Sequence, residues 1–493
     1  MIRFLFVIAI PLFALSTSHG QNREKDGPDR PAAAPDPALW TTKLAISATP
    51  APKPLLKYEL LPHSRDRVSG NAAIGYQRAV IVRPEWPRDP KKSQEQHELL
   101  DGWSSTPVEQ LPTAKIEAFL LGYRDLLAEL DESARRTTCD WQTERMKAED
   151  ISRLLPSVQG NRETLRILSL KCRMELGEKK YADALRSMQT GFQMAKHVGE
   201  GTTLIEFLVG QAMASAMIGR VDEWIGRTDS PNLYWAFTSL PKPFINPRFA
   251  LDGEVRFQEG FLPALRDMER GPVSEDVATT TLANWCKNLS GASAGELGGL
   301  ENLAANVGVA AMAGVQGPGA KKELVARGLA KKDVDAMPAA QAVLLRSIYK
   351  HRDVWDDQVK CFSLPTHKAF AELERIDRQA KKARAEAKDD ALFAVMTLLY
   401  PAVQKVHFAH SRFERRVALI RALEAVRLQI AIDNGAIPKS LDAVTVVSVP
   451  EDPFFAKPFE YTAMESGFKL VAPPLPGYGR NMGEHIYEVT LRR

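Results

Sequence analysis

The chain reads as a mainly α protein, built from antiparallel helical hairpins followed by a small α+β domain. Three observations predict that class. Apolar residues recur at helical spacing through 161–225. Short β-prone pieces cluster only near the C-terminus, separated by prolines and turn residues. Hydrophobic residues make up 44% and charged residues 26% of 493 positions, an ordinary globular balance in a chain long enough for two or three domains.

At the N-terminus, Arg3 precedes an apolar run from Phe4 to Leu15, and Ser18 and Gly20 put small residues at the −3 and −1 positions before Gln21. That order is a secretory signal peptide, 1–20. A run of this length falls short of the roughly 20 residues a spanning helix needs. The chain is therefore expected to be exported, periplasmic or extracellular. Residues 21–54, rich in Pro, Ala, Asp and Thr, read as a disordered linker, with order beginning near Leu55.

A helical domain is expected over 55–410. Residues 71–80 suggest a short helix, and 83–107, with four prolines and two tryptophans, a surface-packed loop. Residues 115–134 predict one amphipathic helix lined by Ile116, Phe119, Leu120, Tyr123, Leu126, Leu127 and Leu130. A hairpin follows. Leu165, Leu168, Cys172 and Leu176 stripe its first helix, which Gly177 ends, and Tyr181, Ala184, Leu185, Met188, Phe192, Ala195 and Val198 stripe the second. Residues 204–221 are apolar on nearly every side, but Glu206, Gln211 and Arg220 argue for a buried core helix rather than a membrane span. Gly210, Ala214, Ser215 and Gly219 would admit close helix approach there. Pro231 opens another helix with Tyr234, Trp235 and Phe237, and 248–289 is helical again. The Gly/Ala-rich 291–319 is either a loop or a small-residue helix. Helices are expected at 321–327, 338–362 and 366–388, and Pro401 should kink or divide 390–410.

The last domain, 411–493, begins with a helix carrying Leu419, Leu423, Val426 and Ile430 and stopped by Gly435. Strand-like pieces at 444–449, 459–462 and 468–471 complete a helix laid across a small antiparallel sheet.

Lys plus Arg exceed Asp plus Glu by 65 to 61, which gives no nucleic-acid-binding field. Cys139, Cys172, Cys286 and Cys361 permit two disulfides in an exported protein or remain as packed thiols. Without a CxxC or a Cys/His cluster of ligand spacing, no metal or cofactor is assigned.

Three resemblances follow from these residues. Tyr181, Ala184, Met188 and Gly191 after Leu176-Gly177 resemble one tetratricopeptide-like unit, although the turn is two residues longer and no second copy recurs; a generic helix pair explains the pattern equally. The order Asp433-Asn434-Gly435-Ala436-Ile437-Pro438-Lys439-Ser440-Leu441, then Val449-Pro450-Glu451-Asp452-Pro453-Phe454, then Lys457-Pro458-Phe459-Glu460-Tyr461 is similar to the soluble domain of type IV pilin-like major pseudopilins. No apolar assembly helix precedes Phe413, so a filament subunit is not implied. The segment 477–484 offers only Asn481 and Glu484 where that family binds calcium. With Ala195–Ile205 and Pro231–Ala236, the whole resembles uncharacterised exported proteins of planctomycete type, which implies architecture and compartment but no activity.

Several motifs could carry chemistry. Gly291-Ala292-Ser293-Ala294-Gly295 matches a nucleophile elbow, but a helix rather than a strand is expected before it. His407 and His410 share a helix face at metal-pair spacing, with only Glu414 one turn on. His197 precedes Gly199-Glu200-Gly201-Thr202, where it could cap a helix end beside a glycine-bearing loop able to hold an anion. His351, Asp353, Asp356 and Asp357 crowd one helix. None of these converges into a site by sequence alone. The expected role is an exported scaffold that binds a cell-envelope protein or peptide in a helical groove, and the alternative is a secreted hydrolase whose site is assembled from distant residues.

Overall fold

The computed structural model describes residues 41–85, 88–142, 151–260, 262–292, 306–386, 392–393, 400–476 and 483–492. Residues 1–20, expected to be a signal peptide, Ser293 and most of 477–484 lie outside them. The protein is mainly helical, 64% helix and 9% strand, with a small sheet.

In chain order the elements begin with β1 (Thr41–Ile46) and β2 (Val68–Asn71). Helices α1 (Ala72–Val82), α2 (Pro90–Ser105), α3 (Thr113–Leu121) and α4 (Arg124–Ala134) follow, then β3 (Arg136–Thr138). The centre is α5 (Ile151–Gly177), α6 (Tyr181–Gly199) and α7 (Leu204–Ile225), continued by α8 (Tyr234–Thr238) and α9 (Arg248–Gly260). Next come α10 (Leu265–Arg270), α11 (Glu275–Ala292), α12 (Asn306–Ala326), α13 (Lys331–Ala336), α14 (Ala339–Val359) and α15 (Thr366–Glu386). The chain closes with α16 (Tyr400–Ile432), β4 (Glu460–Met464), β5 (Gly467–Ala472) and β6 (His485–Leu491).

The hairpin α5–α6 turns at Lys179, which adopts a positive φ of 57°. Helix α7 starts with a capping box: Thr203 accepts from the Glu206 amide while Glu206 accepts from the Thr203 amide. Its small residues do unequal work. A Cβ on Gly210 would lie 2.3 Å from the Gly199 Cα, so α6 and α7 touch backbone to backbone there, whereas Gly219 has nothing within 4 Å and Ser215 is exposed. By length and composition α7 is apolar enough to cross a membrane, and 67% of its most apolar window is buried within the protein.

The sheet order is β1-β6-β5-β4, with β1 parallel to β6 and the other pairs antiparallel. Leu44, Ile46, Phe468, Leu470, Tyr487 and Val489 point inward at the strand period and join Leu423, Val426 and Ile430 of α16 in one core.

Several expectations are corrected. Thr41–Ile46 is a strand where a linker was expected, because Leu44 and Ile46 are buried and Arg427 of α16 donates to the Ser47 carbonyl and Thr49 hydroxyl, each at 2.8 Å. The expected boundary at 410/411 falls inside α16, and a single core runs from Leu44 through α9 and on to Val489. A second core instead joins α10–α14. Helix α2 occupies the expected loop because Pro90 sits at its first turn and Asp89 caps the Lys91 and Lys92 amides, so the proline begins the helix. The expected helix 115–134 breaks at Gly122 into α3 and α4. Residues 444–449 form no strand, and β6, which was not anticipated, supplies the sheet's centre. Pro401 lies in the first turn of α16 as described, and the residues just before it, 394–399, lie outside the described ones. Of the two states left open for the cysteines, the structure has the free thiol at all four.

Candidate functional site

Three of the four sequence motifs are absorbed by packing, and the fourth, the Ser293 elbow, centres outside the described residues. Gly291 and Ala292 end α11, a helix where a nucleophile elbow needs a strand.

His407 is 2% exposed, between the rings of Phe362 and Phe370 at 4.8 and 5.6 Å, and its Nδ1 lies 3.3 Å from the Ser411 hydroxyl. Burial lowers its pKa to about 4, and burial followed by the neighbouring His407 lowers that of His410 to about 3. Glu414 is engaged elsewhere, accepting from the Phe244 amide at 3.2 Å. Among the described residues, no group of three or more His, Cys, Asp or Glu side chains is placed to hold a metal ion.

His197 does not cap its helix. The Gln193 amide reaches its Nε2 at 2.8 Å, which leaves Nδ1–H to donate to the Tyr76 hydroxyl at 3.0 Å. The adjoining glycine loop does not offer an anion site. A Cβ on Gly201 would meet the Glu206 carboxylate at 2.5 Å, so a buried carboxylate already fills that space and repels a second anion. On α14, His351 points inward while Asp353 and Asp356 are exposed, and Asp353 and Asp357 pair with Arg327 and Lys360. Those groups diverge.

A different place collects chemistry. Helices α3, α4, α5 and α6 enclose a cleft of about 360 Å³. Each contributes residues at three- and four-residue spacing: Glu117, Leu120, Leu121 and Arg124 lead into Leu127, Ala128 and Asp131, and Leu168, Lys171 and Met174 face Arg186, Ser187 and Thr190. The break at Gly122 lets two short helices line one wall in succession. The floor is aliphatic, with Leu120 and Leu168 buried and Leu127 and Met174 packed against the main core.

The charges around it are tied to one another. Asp131 accepts from Arg186 at 2.5 Å, from Arg135 at 2.6 Å and from the Thr190 hydroxyl at 3.1 Å. Deeper, Lys171 pairs with Glu175, and its Nζ also donates to the Ser187 hydroxyl at 3.0 Å. Ser187 in turn donates to Glu175 Oε2 at 2.6 Å. Glu175 is 4% exposed, and burial raises its pKa against the opposing pull of Lys171 and Ser187. This trio escaped sequence reading. Lys171 and Glu175 are visible there as an i, i+4 pair, but only the hairpin brings Ser187 to them.

No family model matches the chain, and neither any curated protein nor any solved structure is significantly similar to it.

Proposed function

We propose that the protein is an exported helical scaffold that holds a segment of another cell-envelope protein or peptide in the cleft between α3, α4, α5 and α6. The observation that carries this reading is the cleft itself, an aliphatic floor beside charges of which Asp131, Arg186 and Lys171 are already paired internally. Such a surface accepts an apolar side chain without stranding a charge, the usual condition for burying an anchor residue. Leu121, 66% exposed at its edge, adds apolar area for a partner to cover.

Two finer likenesses support the same reading. The pair α5–α6 is taken as a tetratricopeptide-like unit, a helical hairpin type that presents grooves to peptides. The module formed by the end of α16, β4, β5 and β6 is taken as pseudopilin-like, with Asn434 and Gly435 in the left-handed turn after the helix. Export rests on the signal-like first 20 residues.

The test is site-specific photo-crosslinking from position 121 in the native host, followed by mass spectrometry. One envelope protein or peptide recovered reproducibly from position 121, and lost on Leu127→Arg, is expected. Equal yields from position 121 and from a remote exposed site such as Val315 would overturn the reading.

A further inference from the structure

Within that cleft the Ser187–Glu175–Lys171 arrangement has more chemistry than packing requires. Ser187 and Lys171 line the cavity, and Glu175 lies directly behind them. The hydroxyl donates a hydrogen bond to Glu175 Oε2 at 2.6 Å, within the range over which a general base takes a proton. Lys171 Nζ stands 3.0 Å from the Ser187 Oγ, to which it donates. An ammonium has three donors, of which Ser187 and Glu175 use two, so one is left for a further acceptor beside Oγ.

From this geometry we infer that the cleft is an acyl-transfer site with Ser187 as nucleophile, Glu175 as general base and Lys171 as the cation that stabilises the oxyanion. The substrate class is an ester with an aliphatic acyl group, which seats among Leu120, Leu127, Leu168 and Met174. The inference requires the cleft to admit a ligand but does not require that ligand to be a protein.

The steps balance. Ser187 Oγ bonds to the acyl carbon as its proton passes to Glu175, and the carbonyl oxygen takes the negative charge beside Lys171. Collapse breaks the carbon–oxygen bond to the leaving alcohol, which takes the proton back from Glu175. Water then attacks the acyl-serine, gives its proton to Glu175, and the carboxylic acid departs as Ser187 regains its hydrogen. The burial that raises the Glu175 pKa makes it a better base than an exposed carboxylate.

The experiment incubates the full chain with an alkyl fluorophosphonate and with p-nitrophenyl butyrate. Expected are one phosphonyl adduct, mapped to Ser187, and ester hydrolysis that falls at least about 100-fold in Ser187→Ala and in Glu175→Gln. The Glu175→Gln change keeps the side-chain shape, and circular dichroism checks that both variants fold. Labelling of the wild-type protein needs no variant, so a folding failure leaves the test standing. Absence of an adduct at Ser187 under conditions that saturate a known serine hydrolase overturns the inference, as does hydrolysis undiminished in folded Ser187→Ala. Cross-linking from position 121 without any adduct would retain the partner reading and discard this one.

Discussion

Arg415 and Asp452 form a buried bidentate pair, with Nε 2.9 Å from Oδ1 and Nη2 2.5 Å from Oδ2, and both side chains are 2% exposed. Two further donors of the guanidinium reach the carbonyls of Gly483 and Pro473 at 2.8 and 2.7 Å, so four of its five N–H groups are used, and it lies 4.3 Å over the Phe454 ring. One arginine of α16 thereby gathers the turn at 452, the segment after β5 and the start of β6. Removing only the carboxylate strands a charge in the interior, so Asp452→Ala should cost about 3–5 kcal/mol. The double change Arg415→Met with Asp452→Leu should recover most of that loss, since neither member is then left alone. Urea unfolding of the three proteins checks both. A cost under about 1 kcal/mol for Asp452→Ala would mean water reaches the pair.

That pair also marks the limit of what the sequence discloses. The helical hairpin is legible because its stripes are long and periodic, and Gly435 takes the left-handed turn its residue type predicts, whereas after Gly177 the left-handed residue is Lys179. Asp452 was legible as part of a motif, yet its partner lies 37 residues away in sequence, and no local pattern names it. β1 was missed for the same reason: only Leu44 and Ile46 face inward, and their order depends on β6 and Arg427 at the far end of the chain. Helix α2 is hidden among the four prolines of 83–107, because Pro90 after the capping Asp89 starts a helix where prolines in number suggest a loop. The His motifs were read correctly as spacing, but spacing does not reveal burial. The cleft trio was invisible because it needs two helices at once.

Glycine substitutions on α7 should split by position. Gly210→Ala forces a Cβ against the Gly199 backbone and the Ala195 carbonyl, at 2.3 and 2.6 Å, and neither can move without separating α6 from α7. A loss of about 1–3 kcal/mol is expected. Gly219→Ala meets nothing within 4 Å and removes backbone entropy from the unfolded helix, so it should gain up to about 1 kcal/mol. Thermal melts of the two variants side by side give opposite signs of ΔTm. Equal signs would contradict the close approach at Gly210.

The four cysteines should titrate as four thiols in denaturant without any reductant. In the folded protein Cys172, Cys286 and Cys361 are buried, and burial raises the pKa of each, to about 11 for Cys286 and Cys361. Little thiolate forms at neutral pH, so a water-soluble disulfide reagent should modify them only as fast as the fold opens. Cys139 is half-buried, and desolvation raises its pKa too, which keeps it slow despite better access. Titration of two thiols or none would establish disulfides in the native protein.

Acid should destabilise the fold through its buried imidazoles. His351 and His407 are lowered to about 4, and His197 and His410 to about 3, each chiefly by burial. An imidazole whose folded pKa lies below its unfolded value of about 6.5 is neutral in the native state and gains a proton on unfolding. Its contribution is therefore complete above pH 6.5 and is lost as the pH falls towards 4. Two carboxylates run the other way: desolvation raises Glu254 to about 7 and raises Glu424, so each favours a proton more in the fold than in the unfolded chain and opposes the loss. The net slope mixes both, so the informative quantity is a difference between proteins. Between pH 7 and 5, His407 alone should account for about 2 kcal/mol, and His407→Asn should flatten the stability profile by that amount. Urea midpoints measured at pH 5, 6 and 7 for the two proteins supply the comparison. Parallel profiles would mean that His407 titrates normally and that solvent enters between Phe362 and Phe370.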